Sequence, residues 1–213
     1  DVPLDGGFFH AELERIHVEE DAGKSLHGEG SSQHSWIDLN RAGVPLIEIV
    51  GRPDLSTPEQ AAALFEELRA ILVYAGACDG NLEQGSMRCD ANVSIRPVGQ
   101  TTLGTRCEIK NMNSFRSVRE AVTYEIARQI RAVSAGQTIV QQTRLWDADR
   151  GRTEAMRGKE EAHDYRYFPD PDLPVVRVDA GRIAAIRAAL PEPPSARRAK
   201  LIAAGVSPDA AIA

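Results

Sequence analysis

Two short runs of alternating polar and apolar residues constrain the fold of this chain more than any other feature. Residues 88–96 (RCDANVSIR) place an apolar side chain at every second position, and residues 106–110 (RCEIK) repeat the pattern. Alternation with a period of two predicts β-strands that have one buried face and one solvated face. A loop that contains Pro97, Gly99 and Gly104 separates the runs, so we expect them to pair as an antiparallel hairpin.

The polar face of this predicted hairpin carries residue types that bind metals and phosphates. Asp90 and Glu108 would project from neighbouring strands onto one surface, flanked by Arg88, Arg106 and Lys110. Oxygen ligands hold Mg²⁺, and arginine or lysine binds phosphate oxygens. The face therefore has the groups that phosphoryl transfer on a sheet requires. An exposed hairpin with cross-strand ion pairs would show the same residues, and the pattern alone favours that plainer interpretation.

Two amphipathic helices are predicted, one on each side of the hairpin in the sequence. The first follows Thr57, an N-cap residue whose capping box is completed by Gln60, and it ends near Gly76. The second extends from about Ser114 to Ala135 and has a helical apolar period. Other apolar segments predict strands at 16–18, 36–39, 46–50, 138–146 and 152–157, and helices near 180–190 and after 194.

The first part of the chain contains a second acidic group, in the segment HVEEDAG. His17, Glu19, Glu20 and Asp21 lie within five residues of one another, so a strand end and the following turn could supply metal ligands. An ordinary acidic turn is the plainer interpretation. The AGK at residues 22–24 is not a phosphate loop, because it lacks the required glycine spacing.

No serine or cysteine has the sequence context of an enzyme nucleophile. Ser86 lacks the G-x-S-x-G elbow, and Cys78, Cys89 and Cys107 lie in no nucleophile motif. Three cysteines without CxxC spacing also argue against a disulfide framework and a zinc knuckle, which is typical of a reducing cytosol. Hydrolysis through a covalent enzyme intermediate therefore has no support in this sequence.

The composition is that of an ordinary folded protein. The 213 residues are 42% hydrophobic and 26% charged, which suits one large domain or one domain and part of a second. The longest apolar stretch is far too short to cross a membrane. The net charge of −6 argues against bulk electrostatic binding of nucleic acid.

That charge is unevenly distributed along the chain. Residues 1–84 carry 16 acidic and 5 basic side chains, whereas residues 85–213 carry 15 acidic and 20 basic ones. Arranged around one cleft, the two halves would suit a divalent metal and phosphates respectively. Scattered surface charge is the plainer interpretation.

Six blocks of the sequence resemble one family, in the same order and at compatible spacing. They are RIHVEEDAGKSLH, DLNRAGVPLIEIVGRPDLSTPEQA, CDGNLEQGSMRCDANVSIRP, GTRCEIKNMNSFRSV, TRLWD and KEEAHDYRYFPDPDLP. The blocks resemble the B subunits of the aspartyl/glutamyl-tRNA amidotransferases, the GatB/GatE family. The resemblance extends from about Arg15 to the end of the chain, and several blocks exceed ten residues, so we regard it as more than chance.

The resemblance implies a ligase subunit that works on misacylated tRNA. With ATP and Mg²⁺, such a subunit phosphorylates the side-chain carboxylate of Glu on tRNA(Gln), or of Asp on tRNA(Asn), and ammonia then displaces the phosphate. The implied partners are an amidase-type A subunit, which releases ammonia from glutamine, and a small C subunit. The implied location is the cytoplasm. A separate amidase also explains why this chain shows no nucleophile.

The resemblance further implies a fold, a domain division and a set of site residues. The catalytic part of the family is an α+β cradle similar to glutamine synthetase, with a mainly antiparallel sheet. We expect it at residues 1–178, followed at 179–213 by a linker and the start of a helical domain. Carried over by motif, the implied catalytic residues are Glu20, Asp90 and Glu108. The implied metal ligands are Glu20, Glu108 and Glu19, with His17 as a further candidate. Strand parity alone, and not the family, assigns nucleotide phosphates to Arg88, Arg106 and Lys110.

The sequence also departs from the family pattern. It lacks the family's first strand with its E-V-H motif, the four-cysteine zinc site of some members, and the C-terminal helical and tail region. We therefore expect a fragment that is inactive alone. Two other functions stay open: a non-catalytic scaffold that docks the amidase subunit and tRNA, and a free-standing carboxylate–amine ligase, which the order of the blocks disfavours.

Overall fold

The computed structural model describes residues 1–27, 35–156, 171–172 and 174–212, which divide into two compact units. One unit contains residue 1 and residues 9–56, and the other contains the described part of residues 2–8 and 57–213. The strands are β1 (Val2–Leu4), β2 (Gly7–Phe9), β3 (Leu13–Glu20), β4 (Lys24–His27), β5 (Ser35–Asp38), β6 (Pro45–Gly51), β7 (Cys89–Val93), β8 (Cys107–Met112), β9 (Gln142–Asp147) and β10 (Arg152–Ala155). The helices are α1 (Pro58–Tyr74), α2 (Phe115–Ser134), α3 (Ala180–Ala189), α4 (Pro194–Ala203) and α5 (Pro208–Ile212). Most of the KEEAHDYRYFPDPDLP block lies outside the described residues, as does the last residue of the strand predicted at 152–157.

A four-stranded sheet forms the centre of the second unit, in the order β10-β9-β8-β7. β7 pairs antiparallel with β8, which confirms the predicted hairpin, and β9 pairs antiparallel with β10. The middle pair, β8 and β9, is parallel. Helix α2 connects these two strands, because adjacent parallel strands require a crossover that no tight turn can make.

The hydrophobic core lies between one face of this sheet and helices α1 and α2. Its buried side chains are Val93, Ile109, Met112 and Trp146 from the sheet, and Phe65, Val118, Ala121 and Val122 from the helices. The rings of Phe65 and Phe115 join α1 to α2 in an edge-to-face contact, with 5.4 Å between the centroids. The opposite face, which we call the open face, carries the exposed or half-buried side chains Asp90, Asn92, Glu108, Lys110 and Thr143.

Helices α1 and α2 begin at the cap residues that the sequence predicts. Thr57 Oγ1 accepts a hydrogen bond from the Gln60 backbone N–H at 3.1 Å, and Gln60 Oε1 accepts one from the Thr57 N–H at 3.3 Å. Ser114 Oγ accepts one from the Ser117 N–H at 3.0 Å at the start of α2. Each cap satisfies backbone N–H groups that have no partner inside the helix.

The last three helices belong to the second unit. Arg198 of α4 and Glu67 of α1 form a buried ion pair, with 2.6 Å between Nη2 and Oε1. Helices α3 and α4 confirm the helices that were predicted near 180–190 and after 194. The domain boundary expected at residues 178–179 stays a prediction. None of the helices in the described ranges is long and apolar enough to cross a membrane.

The described residues of the first unit form two antiparallel ribbons, β3 with β6 and β4 with β5. The turn after β3 is held by Asp21, whose carboxylate accepts hydrogen bonds from Arg41 Nε and Nη2, both at 2.8 Å. Ile16, Val18 and Ile47 of the first ribbon are exposed apolar residues. With these ribbons and the sheet of the second unit, the α+β fold with mainly antiparallel pairing is confirmed.

Candidate active site

The β7–β8 hairpin brings the predicted acidic pair onto one surface. Asn92 lies opposite Glu108, and Val93 lies opposite Cys107. An irregularity between Cys89 and Ala91 shifts the pairing by one residue, yet Asp90 still faces the open side. The two carboxylates therefore share the face that the alternating pattern predicts.

Lys110 lies between these two carboxylates. Its ammonium group donates a hydrogen bond to Asp90 Oδ2 and lies 3.3 Å from Glu108 Oε1. Partial burial lowers the pKa of Lys110, but the hydrogen bond and charge of Asp90, together with Glu108, outweigh it and raise the pKa above the ordinary lysine value. Lys110 is therefore positively charged, and its ammonium group lies where the carboxylates of Asp90 and Glu108 can both bind a cation.

The second carboxylate oxygen of Glu108 is also held. Thr143 lies opposite Glu108 in the parallel β8–β9 pair, and its Oγ1 donates to Glu108 Oε2 at 3.0 Å. Sequence reasoning missed Thr143, because a predicted strand at 138–146 does not say which strand it will pair with or in what register.

Arg88 and Arg106 lie at the entrances of the two hairpin strands. Each directly precedes its strand, β7 or β8, and each is exposed. Strand parity predicted positions inside the strands, whereas the structure begins each strand one residue later. The assignment of both arginines to phosphates stays a prediction.

Strand β3 in the first unit carries the other predicted residues, His17, Glu19 and Glu20. His17 lies opposite Glu48 of β6, with 3.8 Å between His17 Nδ1 and Glu48 Oε2. Because neighbouring residues of a strand point to opposite faces, Glu19 lies on the His17 side and Glu20 on the other. The expected ligands Glu19 and Glu20 thus lie on opposite faces of the strand. Their role in metal binding stays a prediction.

Glu48 of β6 is a further acidic residue next to His17, and the sequence analysis did not single it out. It also lies 3.8 Å from Arg15 Nη2. The sequence could have indicated Glu48, because it is the single acidic residue in the apolar run PLIEIVG. Across the described ranges, no three His, Cys, Asp or Glu side chains gather closely enough to hold a metal ion.

A buried charge cluster lies beneath the sheet, on the face opposite to the open face. Glu125 of α2 is fully buried and accepts hydrogen bonds from Arg128 at 2.6 and 2.9 Å, from Gln129 at 2.9 Å and from Thr153 at 3.1 Å. Burial raises the pKa of Glu125, but the hydrogen bonds from Arg128 and Gln129 outweigh it, so the pKa lies below the ordinary value. Glu125 is therefore ionised and ties α2 to the sheet.

Comparison with known proteins agrees with these motifs. Residues 2–184 match the family described as the GatB/GatE catalytic domain. The chain belongs to this family. Two curated relatives are named as the B subunit of the aspartyl/glutamyl-tRNA(Asn/Gln) amidotransferase. The one from Solidesulfovibrio magneticus is 56% identical over 203 residues, and the one from Chlorobaculum tepidum is 57% identical over 201 residues. These alignments cover 95% and 94% of this chain and 42% of each relative, so the chain spans about two fifths of the length of these relatives.

The open face of this GatB/GatE domain presents two carboxylates, which are oxygen donors of the kind that a magnesium ion prefers. Asp90 and Glu108 supply hard carboxylate oxygens on a partly solvated surface, where a metal can keep several of its waters. A cationic group already lies between them, so the arrangement of the pair suits positive charge. Lys110 would have to give up one of its contacts when a metal binds.

Proposed function

We propose that this chain is the catalytic part of the B subunit of an aspartyl/glutamyl-tRNA amidotransferase. In this proposal its open face activates the side-chain carboxylate of Glu on tRNA(Gln), or of Asp on tRNA(Asn). Family membership and the names of the relatives support the subunit assignment. The observation that carries the site assignment is the pair Asp90 and Glu108, which share one cation on an exposed sheet face.

The reaction needs ATP because a carboxylate is a poor electrophile. One carboxylate oxygen of the substrate attacks the γ-phosphorus of ATP, ADP departs, and an acyl phosphate forms. Ammonia then attacks the acyl carbon, the bond to the phosphate oxygen breaks, and inorganic phosphate leaves with formation of the amide. The protein's task is to position the reactants and to stabilise the charge that moves.

The residues of the open face divide this task. Asp90 and Glu108 would hold Mg²⁺, which when bound neutralises charge on the transferred phosphoryl group. Lys110 stays protonated beside them and can contact a phosphate oxygen. Arg88 and Arg106, which are exposed at the starts of the two strands, are proposed to bind further phosphate oxygens. Glu20 is proposed as a further catalytic and metal-binding residue on its motif alone.

The complete enzyme would contain further components. Ammonia would come from an amidase-type A subunit, a small C subunit would complete the complex, and the substrate would be misacylated tRNA in the cytoplasm. A scaffold that docks the amidase subunit and tRNA is the second candidate. The exposed apolar residues Ile16, Val18 and Ile47 of the first unit favour a docking role, and this role is compatible with catalysis on the open face.

Conservative substitutions of the acidic pair test the proposal. Glu108→Gln and Asp90→Asn, introduced into the full-length protein in its assembled complex, should lower ATP-dependent amidation by about 100-fold or more, because the metal loses a charged ligand. Amidation of Glu-tRNA(Gln) and assembly of the complex by gel filtration are measured together. The matched control is Glu120→Gln, an exposed α2 residue paired with Arg116. Amidation within about twofold of wild type in both site variants would refute the assignment.

A further inference from the structure

Thr143 is a neutral residue of the open face, and its hydroxyl group contacts the carboxylate of Glu108. Its hydroxyl donates to Glu108 Oε2 at 3.0 Å, while Lys110 lies 3.3 Å from the other oxygen, Oε1. Each oxygen of this carboxylate therefore has its own partner. The Thr143 hydroxyl is engaged with the carboxylate and adds no charge for phosphate, so its observed contact is one that fixes the direction of Glu108.

The position of Thr143 is itself fixed from beneath the sheet. The next residue, Arg144, points to the opposite face, where it is 9% exposed. Arg144 Nε donates to Thr153 Oγ1 at 2.7 Å, Nη2 donates to the Thr153 carbonyl at 2.8 Å, and Nε lies 3.4 Å from Glu125 Oε2. Strand β9 is thus anchored to β10 and to α2 within one residue of Thr143.

This anchor decides which residue Glu108 meets. In the observed register Glu108 lies opposite Thr143. A shift of β9 by two residues would preserve its faces but would place either Leu145 or Gln141 opposite Glu108, depending on its direction. Leucine cannot donate a hydrogen bond, and glutamine would donate from a longer and more mobile side chain, so either shift would remove the short contact that holds Oε2.

We propose that Thr143 is a positioning residue for Glu108. Its hydroxyl binds Oε2 and keeps Oε1 directed to the Asp90 side, where the two carboxylates share a cation. This inference rests on the proposed function of Asp90 and Glu108 as metal ligands. Partners of a ligating carboxylate typically change metal affinity by about 10–100-fold when they are removed.

The test compares Thr143→Val, which keeps the shape but removes the hydroxyl, with Thr143→Ser, which keeps the hydroxyl. Both are made in the full-length protein in its assembled complex. Mn²⁺ binding is measured without ATP or tRNA, from the electron paramagnetic resonance signal of free Mn²⁺, and the Mg²⁺ concentration for half-maximal amidation is measured in parallel. Thr143→Val should weaken both about tenfold, and Thr143→Ser should stay within about twofold of wild type.

The matched control is Thr123→Val, which removes an exposed hydroxyl that donates only to the Arg119 carbonyl of its own helix at 2.7 Å. It should bind Mn²⁺ as wild type does. Thermal unfolding of each complex verifies folding, and Thr143→Ala replaces Thr143→Val if the latter melts more than about 4 °C below wild type.

Two results would overturn the inference while leaving the proposed function intact. One is wild-type Mn²⁺ binding and Mg²⁺ dependence in Thr143→Val. The other is equal weakening in the valine and serine variants, because the hydroxyl would then not be the cause. Glu108→Gln distinguishes failure of the proposed function from failure of this inference. If this variant binds Mn²⁺ as wild type does, the metal assignment of Glu108 fails, and the role of Thr143 fails with it.

Discussion

Glu125 shows how much a single buried residue can decide. Its carboxylate is fully buried and surrounded by donors from Arg128, Gln129 and Thr153, with Arg144 at 3.4 Å. A buried charge is costly without partners, and the partners become costly without it. Nothing in its neighbourhood in the sequence indicates this, because a glutamate within a helix is usually a solvated residue.

We predict that Glu125→Ala destabilises the protein by about 3–5 kcal/mol, because it leaves Arg128 and Arg144 without their buried counter-charge. Urea unfolding monitored by circular dichroism measures the loss. The exposed Glu120→Ala should cost no more than about 0.5 kcal/mol, since its ion pair with Arg116 is solvated. Equal losses in the two variants would show that burial of the cluster is unimportant.

The lowered pKa of Glu125 should make the stability of the protein depend on pH. The pKa of Glu125 is lowered on folding, so its contribution is complete above the ordinary glutamate pKa of about 4.3 and is lost as the pH falls through the lower folded value. The difference in unfolding free energy between wild type and Glu125→Gln should therefore be constant from about pH 5.5 to 7 and shrink below about pH 4. A difference that grows on acidification would contradict the lowered pKa.

At the scale of elements, the helices obey local rules more closely than the strands do. The capping residues Thr57 and Ser114 start α1 and α2 where the sequence predicts. The hairpin β7–β8 is likewise predicted, because its alternating pattern and its connecting loop are local. The parallel neighbour β9 is predicted as a strand, but its pairing with β8 and its register are not.

The capping box of α1 gives a prediction at this scale. Thr57→Ala should destabilise the second unit by about 1 kcal/mol, because the Gln60 N–H loses its acceptor. Thermal unfolding should show a lower midpoint, and Thr57→Ser should restore most of it. Thr102→Ala in the exposed loop before β8 is the control, and an equal effect there would refute a specific role for the cap.

At the scale of the whole molecule, helix α4 is held to the rest of the second unit by a contact between residues distant in sequence. Arg198 of α4 and Glu67 of α1 are 131 positions apart and form a buried ion pair. Their pairing indicates that α4 folds together with α1. The boundary predicted at 178–179 separates segments that this contact holds together.

Breaking one side of this pair should release the last helices. Arg198→Met leaves Glu67 buried without its partner and should cost about 3 kcal/mol, whereas Glu67→Leu combined with Arg198→Met should recover most of that loss. Limited proteolysis after residue 178 should accelerate in the single variant. If the single variant is cleaved no faster than wild type, α4 does not depend on the pair.

The sequence by itself determined what is local: the strand pattern of 88–96 and 106–110, the helix caps, and the acidic residues that a polar face would present. The tertiary structure alone decided that Thr143 meets Glu108 and that Glu125 lies buried beneath them. The physical reason is separation along the chain. Thr143 and Glu108 are 35 positions apart, and their contact depends on a crossover helix and on a strand register that only packing of the whole sheet selects.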